Sequence, residues 1–125
     1  MSARSAKQTC DRYFSLIVRA RGRCERCGRT DGPFECAHVI RRRFVGDPDS
    51  IGLRTNEDNA WCLCLLCHRT VDLDPLEFAI LVTRTLGFQK YSELLKVRDA
   101  QHRDWRESDW ILERQRLLAL LKASA

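Results

Sequence analysis

Two Cys-x-x-Cys pairs constrain this chain more than any other feature of its sequence. The first is Cys24–Cys27, and the second, Cys64–Cys67, begins forty positions later. Each pair puts two thiols on one tight turn, and four such thiols are the usual ligand set of a closed structural zinc site. A zinc ion with four protein ligands holds no water and does no chemistry itself. We therefore predict that the two turns meet around one structural Zn²⁺.

Three further cysteines, Cys10, Cys36 and Cys62, lie outside the two pairs. Free cysteines are commonly small core residues, and that is the interpretation we favour for all three. Cys36 stands two residues before His38, on the same face of a predicted strand, so a mixed metal site that uses Cys36 stays open at this point. The start of the chain, Met1–Gln8, has no signal-peptide pattern, and the longest aliphatic run, Leu117–Leu121, is far short of a membrane span. We therefore expect reduced thiols in a cytoplasm, not disulfides and not a membrane protein.

The chain has 125 residues, which is the size of one domain. We divide it into an N-terminal helical segment (1–22), a central segment with both cysteine pairs (23–73) and a helical C-terminal segment (74–125). A domain this small often needs a metal or another cross-link for stability, which agrees with the predicted zinc.

The positive charge is concentrated in the first half of the chain. Up to Arg54 there are twelve Lys and Arg against six Asp and Glu, whereas the remainder has ten against eleven. An anionic partner would dock on the basic half, and nucleic acid is the natural candidate. A solvated surface that serves only solubility stays open as the alternative.

The periodicity of apolar residues and the positions of Gly, Pro and helix-capping residues predict an α+β chain with two strands among helices. The predicted strands are Phe34–Ile40 and Asn59–Leu63, joined by a Gly- and Pro-containing loop at Arg41–Asp58. The predicted helices are Thr9–Arg21, Leu65–Asp72, a helix capped by Asp74 that ends at Gly87, Tyr91–Arg103 and Asp109–Lys122. For the helix after Asp74 we expect Pro75 at its first position and a capping box closed by Glu77.

Four short stretches together carry a resemblance to a known family: Cys24-x-x-Cys27-Gly28, Ala37-His38-Val39, Asn59 and Cys64-x-x-Cys67-His68. They resemble the HNH endonucleases of the His-metal finger (ββα-metal) group. More narrowly, the pattern is similar to small phage and prophage members, including NinG-type recombination proteins. The resemblance covers roughly residues 24–72. It implies a ββα-metal core stapled by the four-cysteine zinc, flanked by helices, in a bacterial or phage-infected cell.

The resemblance also implies roles for single residues. His38 matches the general base, Asn59 the residue that holds the base and its loop, and His68 the first ligand of a catalytic divalent metal. Asp72 falls where relatives carry a second helical ligand. The residues agree with this, because positions i and i+4 share a helix face and an imidazole with a carboxylate suits Mg²⁺, Mn²⁺ or Zn²⁺. The implied function is metal-dependent hydrolysis of DNA phosphodiester bonds.

Ala37 departs from the family pattern, which usually has a metal ligand just before the base. Glu35, Cys36 or Asp47 would then assist the metal. The alternative is a zinc-stabilised DNA-binding or recombination-accessory module with weak or no catalysis. Purely structural roles also stay open: His38 could be hydrogen-bonded to a backbone carbonyl, and His68 to a zinc thiolate.

Four arginines near the predicted base are candidates for contacts with the DNA backbone: Arg41, Arg42, Arg43 and Arg54. We expect Trp61 to be a core residue, not a surface for base stacking. The last predicted helix has an apolar stripe between Trp110 and Leu121. That stripe would suit an intramolecular core, a homodimer or a docking surface for recombination machinery.

Overall fold

The structure, a computed structural model, describes residues 5–41, 53–100 and 105–123. These ranges contain five α-helices and two strands: α1 (Ala6–Arg19), β1 (Phe34–His38), β2 (Ala60–Cys64), α2 (Leu65–Leu73), α3 (Pro75–Thr85), α4 (Gly87–Asp99) and α5 (Glu107–Ala123). A short 3₁₀ turn, Glu57–Asn59, leads into β2. The mixed α+β class predicted from the sequence is confirmed.

The two strands form an antiparallel ladder between two layers of helices. Phe34 pairs with Cys64 at one end of the ladder, and His38 pairs with Ala60 at the other. All five residues of β2 are buried. Because neighbouring side chains of a strand point to opposite faces, β2 contributes to two separate cores.

One core lies between the strand pair and the helices α2 and α3. Its buried members include Ala37, Trp61, Leu63, Val71 and Leu81. Trp61 is 2 % exposed and its indole Nε1 donates to Thr85 Oγ1 at 2.9 Å. The prediction that Trp61 is a core residue is therefore confirmed.

The other core lies between the strand pair and the helices α1 and α5. Phe14 and Val18 of α1 pack there with Cys62 of β2 and with Trp110 and Leu117 of α5. Trp110 and Leu117 of the predicted stripe therefore pack in the core of their own chain, which is the intramolecular alternative, whereas Ile111 of the same stripe is 37 % exposed. None of the helices in the described ranges is long and apolar enough to cross a membrane.

The first residue of α1 and of α3 is set by the capping residue before it, Ser5 and Asp74. The first helix begins at Ala6, three residues before the predicted Thr9, because Ser5 and Gln8 form a reciprocal capping box. α3 begins at Pro75 as predicted, with Asp74 accepting from the amide of Leu76 at 3.0 Å. The capping box predicted there is wrong.

The carboxylate of Glu77, which would close a capping box with Asp74, accepts a hydrogen bond from Arg26 Nη2 instead.

Among the other boundaries that differ from the predictions, most by one or two residues, two have a clear structural cause. β1 ends at His38, not at Ile40, because Ile40 donates its amide to the side chain of Asn59 and leaves the ladder. α4 begins at Gly87, four residues before the predicted Tyr91. Gly87 has a φ of +78°, so it redirects the chain between two helices and also starts the second one. Residues 101–103 of the predicted fourth helix lie outside the described residues.

Candidate metal centre and active site

The two cysteine pairs come together as predicted. The Sγ atoms of Cys24, Cys27, Cys64 and Cys67 all lie within 4.8 Å of one another, and those of Cys27 and Cys64 are 3.9 Å apart. A tetrahedral zinc with Zn–S bonds of about 2.3 Å has S···S distances of about 3.8 Å. The cluster can therefore hold a structural metal such as zinc.

Local hydrogen bonds shape the first turn and attach it to the sheet. The amide of Gly28 donates to the carbonyl of Cys24 at 2.9 Å, and Gly28 has a φ of +81° that closes the turn. The amide of Glu25 donates to the carbonyl of Cys62 at 2.8 Å. This bond holds the first cysteine pair beside the strand that carries Cys64.

The surroundings shift the pKa of two of the clustered thiols in opposite directions. Burial would raise the pKa of Cys24, but backbone hydrogen bonds from Cys27, Cys64 and Arg26 outweigh it and lower the pKa to about 6. Burial raises the pKa of Cys67, and the neighbouring thiols raise it further, to about 12, against an opposing hydrogen bond from Arg26. The Cys24 thiol therefore ionises more easily than a free cysteine, and the Cys67 thiol less easily. A bound divalent cation would remove this conflict, because it stabilises all the thiolates together.

Two arginines attach this centre to α3. Arg26 donates from Nη1 to Cys67 Sγ at 3.4 Å and from Nη2 to Glu77 at 3.1 Å. Arg84 donates to the backbone carbonyls of Glu25 and Arg26 at 2.9 and 2.8 Å. The sequence did not point to this arrangement, since only the fold brings residues 26, 77 and 84 together.

The three remaining cysteines lie on the other side of the strand pair. Cys10 and Cys62 are fully buried in the core with α1, and Cys36 is half-buried beside it. Burial raises the pKa of Cys10 to about 11 and makes its thiol unreactive. In the described part of the chain the metal cluster comprises the two predicted pairs without Cys36, so the mixed site is not supported.

Asn59 is a fully buried side chain that joins the backbone of Ile40, just before the predicted loop, to that of Leu53 within it. Its Oδ1 accepts from the amide of Ile40 at 2.8 Å, and its Nδ2 donates to the carbonyls of Ile40 and Leu53 at 3.1 and 3.0 Å. Three of its four hydrogen-bonding positions are therefore used on backbone that flanks residues 41–52. The geometry is that of a residue that holds a loop in place.

His38 is the last residue of β1, and its ring is fixed from two sides. The ring Nε2 lies 2.8 Å from the carbonyl oxygen of Arg54, and the ring packs on Phe14 of α1 with centroids 5.6 Å apart. A carbonyl can only accept, so Nε2 carries the proton and the lone pair of the neutral ring is on Nδ1. A backbone carbonyl is the partner expected of a structural histidine, and it is also a partner that orients a general base.

His68 lies between two carboxylates on α2 and β1. Its Nδ1 is 2.8 Å from Glu35 Oε1, and its Nε2 is 3.6 Å from Asp72 Oδ2. These carboxylates, not a cysteine thiol, are therefore the contacts of this imidazole. Two ligands at about 2.1 Å from one ion lie about 3.0 to 3.5 Å apart, so Nε2 and Asp72 Oδ2 are close to a shared ligand geometry. A carboxylate on the other ring nitrogen is what commonly orients a metal-binding histidine.

The strand face next to α2 carries Glu35 and Ala37, and His38 points to the opposite face, toward α1. Ala37 is 3 % exposed and packs in the α2 core, so it offers no ligand where the family pattern has one. Glu35, two residues earlier on the same face, takes up the contact with His68. Within the described ranges, no third His, Cys, Asp or Glu has a ligand atom within 4.8 Å of the ligand atoms of both His68 and Asp72.

The predicted phosphate-binding arginines have different surroundings. Arg41 is partly exposed and donates to Asp72 Oδ1 at 2.5 Å. Arg54 is 8 % exposed, and its guanidinium makes a forked pair with Asp11 at 2.8 and 2.6 Å. Arg54 is therefore a structural ion-pair residue here, and we withdraw it from the predicted phosphate contacts. Arg42 and Arg43 lie outside the described residues, as does Asp47.

Comparison with known proteins found no matching family model, no matching curated protein and no matching solved structure. What the site does has to be inferred from its own residues.

Proposed function

We propose that this chain is a metal-dependent HNH-type endonuclease that hydrolyses DNA phosphodiester bonds, with β1, β2 and α2 as a ββα-metal core. The observation that carries this proposal is the way α2 lies along β1 and the residues after it. Glu35 of β1 contacts His68, and Arg41, three residues after β1, contacts Asp72 one helical turn further along α2. A histidine and a carboxylate on one helix face, oriented from the neighbouring strand and flanked by a guanidinium, can hold a divalent metal and stabilise charge on a phosphate.

His38 is the general base in this proposal. Its proton is held on Nε2 by the Arg54 carbonyl, so Nδ1 is the atom that takes a proton from the attacking water. An imidazole titrates near neutral pH and can do this in the cell. Asn59 holds Ile40, two residues after the base, and Leu53, which precedes the Arg54 whose carbonyl orients the base.

His68 and Asp72 would hold the catalytic divalent metal through Nε2 and Oδ2, with Glu35 fixing the ring. Mg²⁺ or Mn²⁺ suits this pair best, because such ions accept few protein ligands and complete their shell with water and phosphate oxygens. When bound, the metal supplies charge stabilisation for the phosphate and the leaving oxygen. The four-cysteine centre is structural and takes no part in the chemistry.

DNA backbone is the proposed partner because the basic charge lies in the half of the chain that carries His38 and Arg41. Contacts with phosphates carry no sequence information and weaken steeply with salt. We therefore expect binding that depends strongly on ionic strength and weakly on sequence.

The test is a plasmid-nicking assay on zinc-loaded protein with Mg²⁺, with Mn²⁺ and without added divalent metal. Replacing a general base or a ligand of the catalytic metal typically costs about 10²-fold or more, so His38→Ala and His68→Ala should each abolish nicking. Glu35→Gln should lose about tenfold, as is typical when a group that orients a metal ligand is replaced. Glu93→Gln, an exposed carboxylate on α4, is the matched control. Wild-type rates in both alanine variants would refute the proposal and point to a contaminating nuclease.

Ala37 favours a second candidate, a zinc-stabilised DNA-binding module without catalysis. Its buried methyl group leaves the strand without a ligand at the usual position. This candidate predicts DNA retention with no cleavage in any metal.

A further inference from the structure

A cleft of about 280 Å³ opens beside Asp72, at the point where β1 ends and α2, α3 and α4 meet. The apolar part of its lining includes Val39, Val71, Phe78 and Tyr91. Its volume is near the lower limit of small-molecule sites, so it suits a single ring system and not a helix or a peptide strand.

The aromatic wall of the cleft is held by packing. Phe78 contacts the buried Trp61 edge to face, with ring centroids 5.6 Å apart, and Tyr91 contacts Phe78 in the same manner at 6.2 Å. Phe78 and Tyr91 are half-buried. A half-buried ring at the wall of a cleft is the usual partner of an unstacked nucleobase.

The charges around the cleft favour a nucleotide over an uncharged apolar ligand. Two guanidiniums line it, those of Arg41 and Arg98, with side chains 21 % and 35 % exposed. Arg41 pairs with Asp72 and Arg98 with Asp99, so a phosphate would share each guanidinium with a carboxylate. The one carboxylate in the lining, Asp72, is also the proposed metal ligand beside His68. A base placed in the cleft would have its own phosphates next to these three groups.

We propose that this cleft receives one unpaired base of a DNA strand, so that the substrate is DNA with an unpaired nucleotide beside the cut. The inference rests on the proposed function for the position of the cut, and it goes beyond that function in naming the substrate class. A base can enter a walled cleft only when it leaves the stack, and that is least costly where it is already unpaired.

The test measures binding, not cleavage. The probes are two DNA duplexes that contain 2-aminopurine, one fully paired and one with the 2-aminopurine as a single unpaired nucleotide, titrated with zinc-loaded protein without added magnesium or manganese. Stacking of one base on an aromatic side chain corresponds to roughly a tenfold preference or more, so the wild type should bind the second probe about tenfold more tightly.

Tyr91→Leu and Arg98→Gln should reduce that preference to about twofold or less, whereas Arg12→Gln, the same charge change on an exposed residue of α1, should leave it intact. Leucine keeps an apolar side chain at position 91, and thermal unfolding checks that each variant is folded. Equal affinity of the wild type for both probes, no binding of either probe, or an unchanged preference in both cleft variants would overturn the inference. A preserved preference in a protein that, with Mg²⁺ or Mn²⁺, cuts neither plasmid nor the probe with the unpaired nucleotide would refute the nuclease and leave binding of the base in the cleft standing.

Discussion

The guanidinium of Arg41 and the imidazole of His68 share one carboxylate, that of Asp72. Arg41 Nη2 lies 2.5 Å from Oδ1, and His68 Nε2 lies 3.6 Å from Oδ2. Asp72 can thus serve the arginine or a metal, and an ion at its carboxylate would compete with the arginine. In the proposed nuclease, a metal bound to Asp72 would free the guanidinium of Arg41 to bind a phosphate. A phosphate bound to Arg41 would in turn free the carboxylate of Asp72 to bind the metal. Such coupling is reciprocal by thermodynamic necessity.

Arg41→Gln should therefore tighten the binding of Mn²⁺ to zinc-loaded protein. The expected gain is on the order of five- to tenfold, the size of a typical coupling between sites, because the competing cation is gone. Titration followed by electron paramagnetic resonance of free Mn²⁺ measures it directly. The same variant should bind DNA more weakly at low salt. Arg12→Gln serves as the control, and unchanged or weaker Mn²⁺ binding in Arg41→Gln would show that the two do not compete.

The hydrogen bond from Arg26 to Cys67 should slow the loss of zinc. Four thiolates and one Zn²⁺ carry a net negative charge, which an N–H donor on sulfur offsets, and groups of this kind commonly alter metal affinity about 10- to 100-fold. Arg26→Gln should release zinc to a chromogenic chelator about tenfold faster or more.

Glu77→Gln should fall between that variant and the wild type, because Arg26 then loses its carboxylate anchor but keeps the sulfur contact. A Co²⁺-loaded sample adds a readout that simple destabilisation would not move, since losing the donor should shift the thiolate-to-metal absorption bands. Equal release rates and identical spectra would argue against this role of Arg26.

Asn59→Ala should destabilise the zinc-loaded protein by about 2–4 kcal/mol, because it leaves buried backbone groups of Ile40 and Leu53 without partners. Asn59→Asp should be no better, since a carboxylate cannot donate to the two carbonyls. Urea unfolding gives the free energies. Asn56→Ala, which removes a local turn bond to the amide of Asp58, should cost only about 1 kcal/mol. Similar losses at the two positions would contradict the bridging role of Asn59.

Much of the metal centre follows from local sequence, and the contacts that surround it do not. The first Cys-x-x-Cys turn is closed within residues 24–28, by the bond from the amide of Gly28 to the carbonyl of Cys24 and by the left-handed conformation of Gly28. His68 and Asp72 share a face by helical period alone. The pairing of Glu35 with His68 depends on how α2 lies along β1, which no local pattern specifies.

The misassigned arginine has the same origin. Arg54 precedes Asn59 among polar residues and looks like part of a basic surface, yet its partner Asp11 is 43 residues away on α1. Only the packing of α1 on the strand pair buries this guanidinium. Charge counts along the sequence cannot separate such an ion pair from a free cation.

Acid should weaken the junction between α5 and the turn before β2. Burial would raise the pKa of Glu113, but hydrogen bonds from Arg116 and Thr55 outweigh it, so the pKa is lowered in the folded state. A carboxyl with a depressed folded pKa stabilises the protein above its unfolded pKa, and this contribution is lost as the pH falls through the folded pKa.

At pH 7, Glu113→Gln should therefore be about 1–2 kcal/mol less stable than the wild type, and the difference should shrink below about pH 4. Thermal unfolding from pH 3 to pH 7 tests this, with Glu93→Gln as the exposed control. A difference that stays constant over that range would mean that the charge of Glu113 does not contribute.

The bridge made by Asn59 has a consequence for how the chain can vary. Ile40 and Leu53 are bonded to one side chain, so the twelve residues between them leave and rejoin the framework at a single point. The side chain of Asn59 therefore fixes the separation of Ile40 and Leu53 directly, through its own hydrogen bonds. We expect that residues 42–52 can be exchanged for a shorter, longer or differently charged sequence while Asn59 keeps Ile40 and Leu53 at the same separation. Arg41 is kept, because it contacts Asp72.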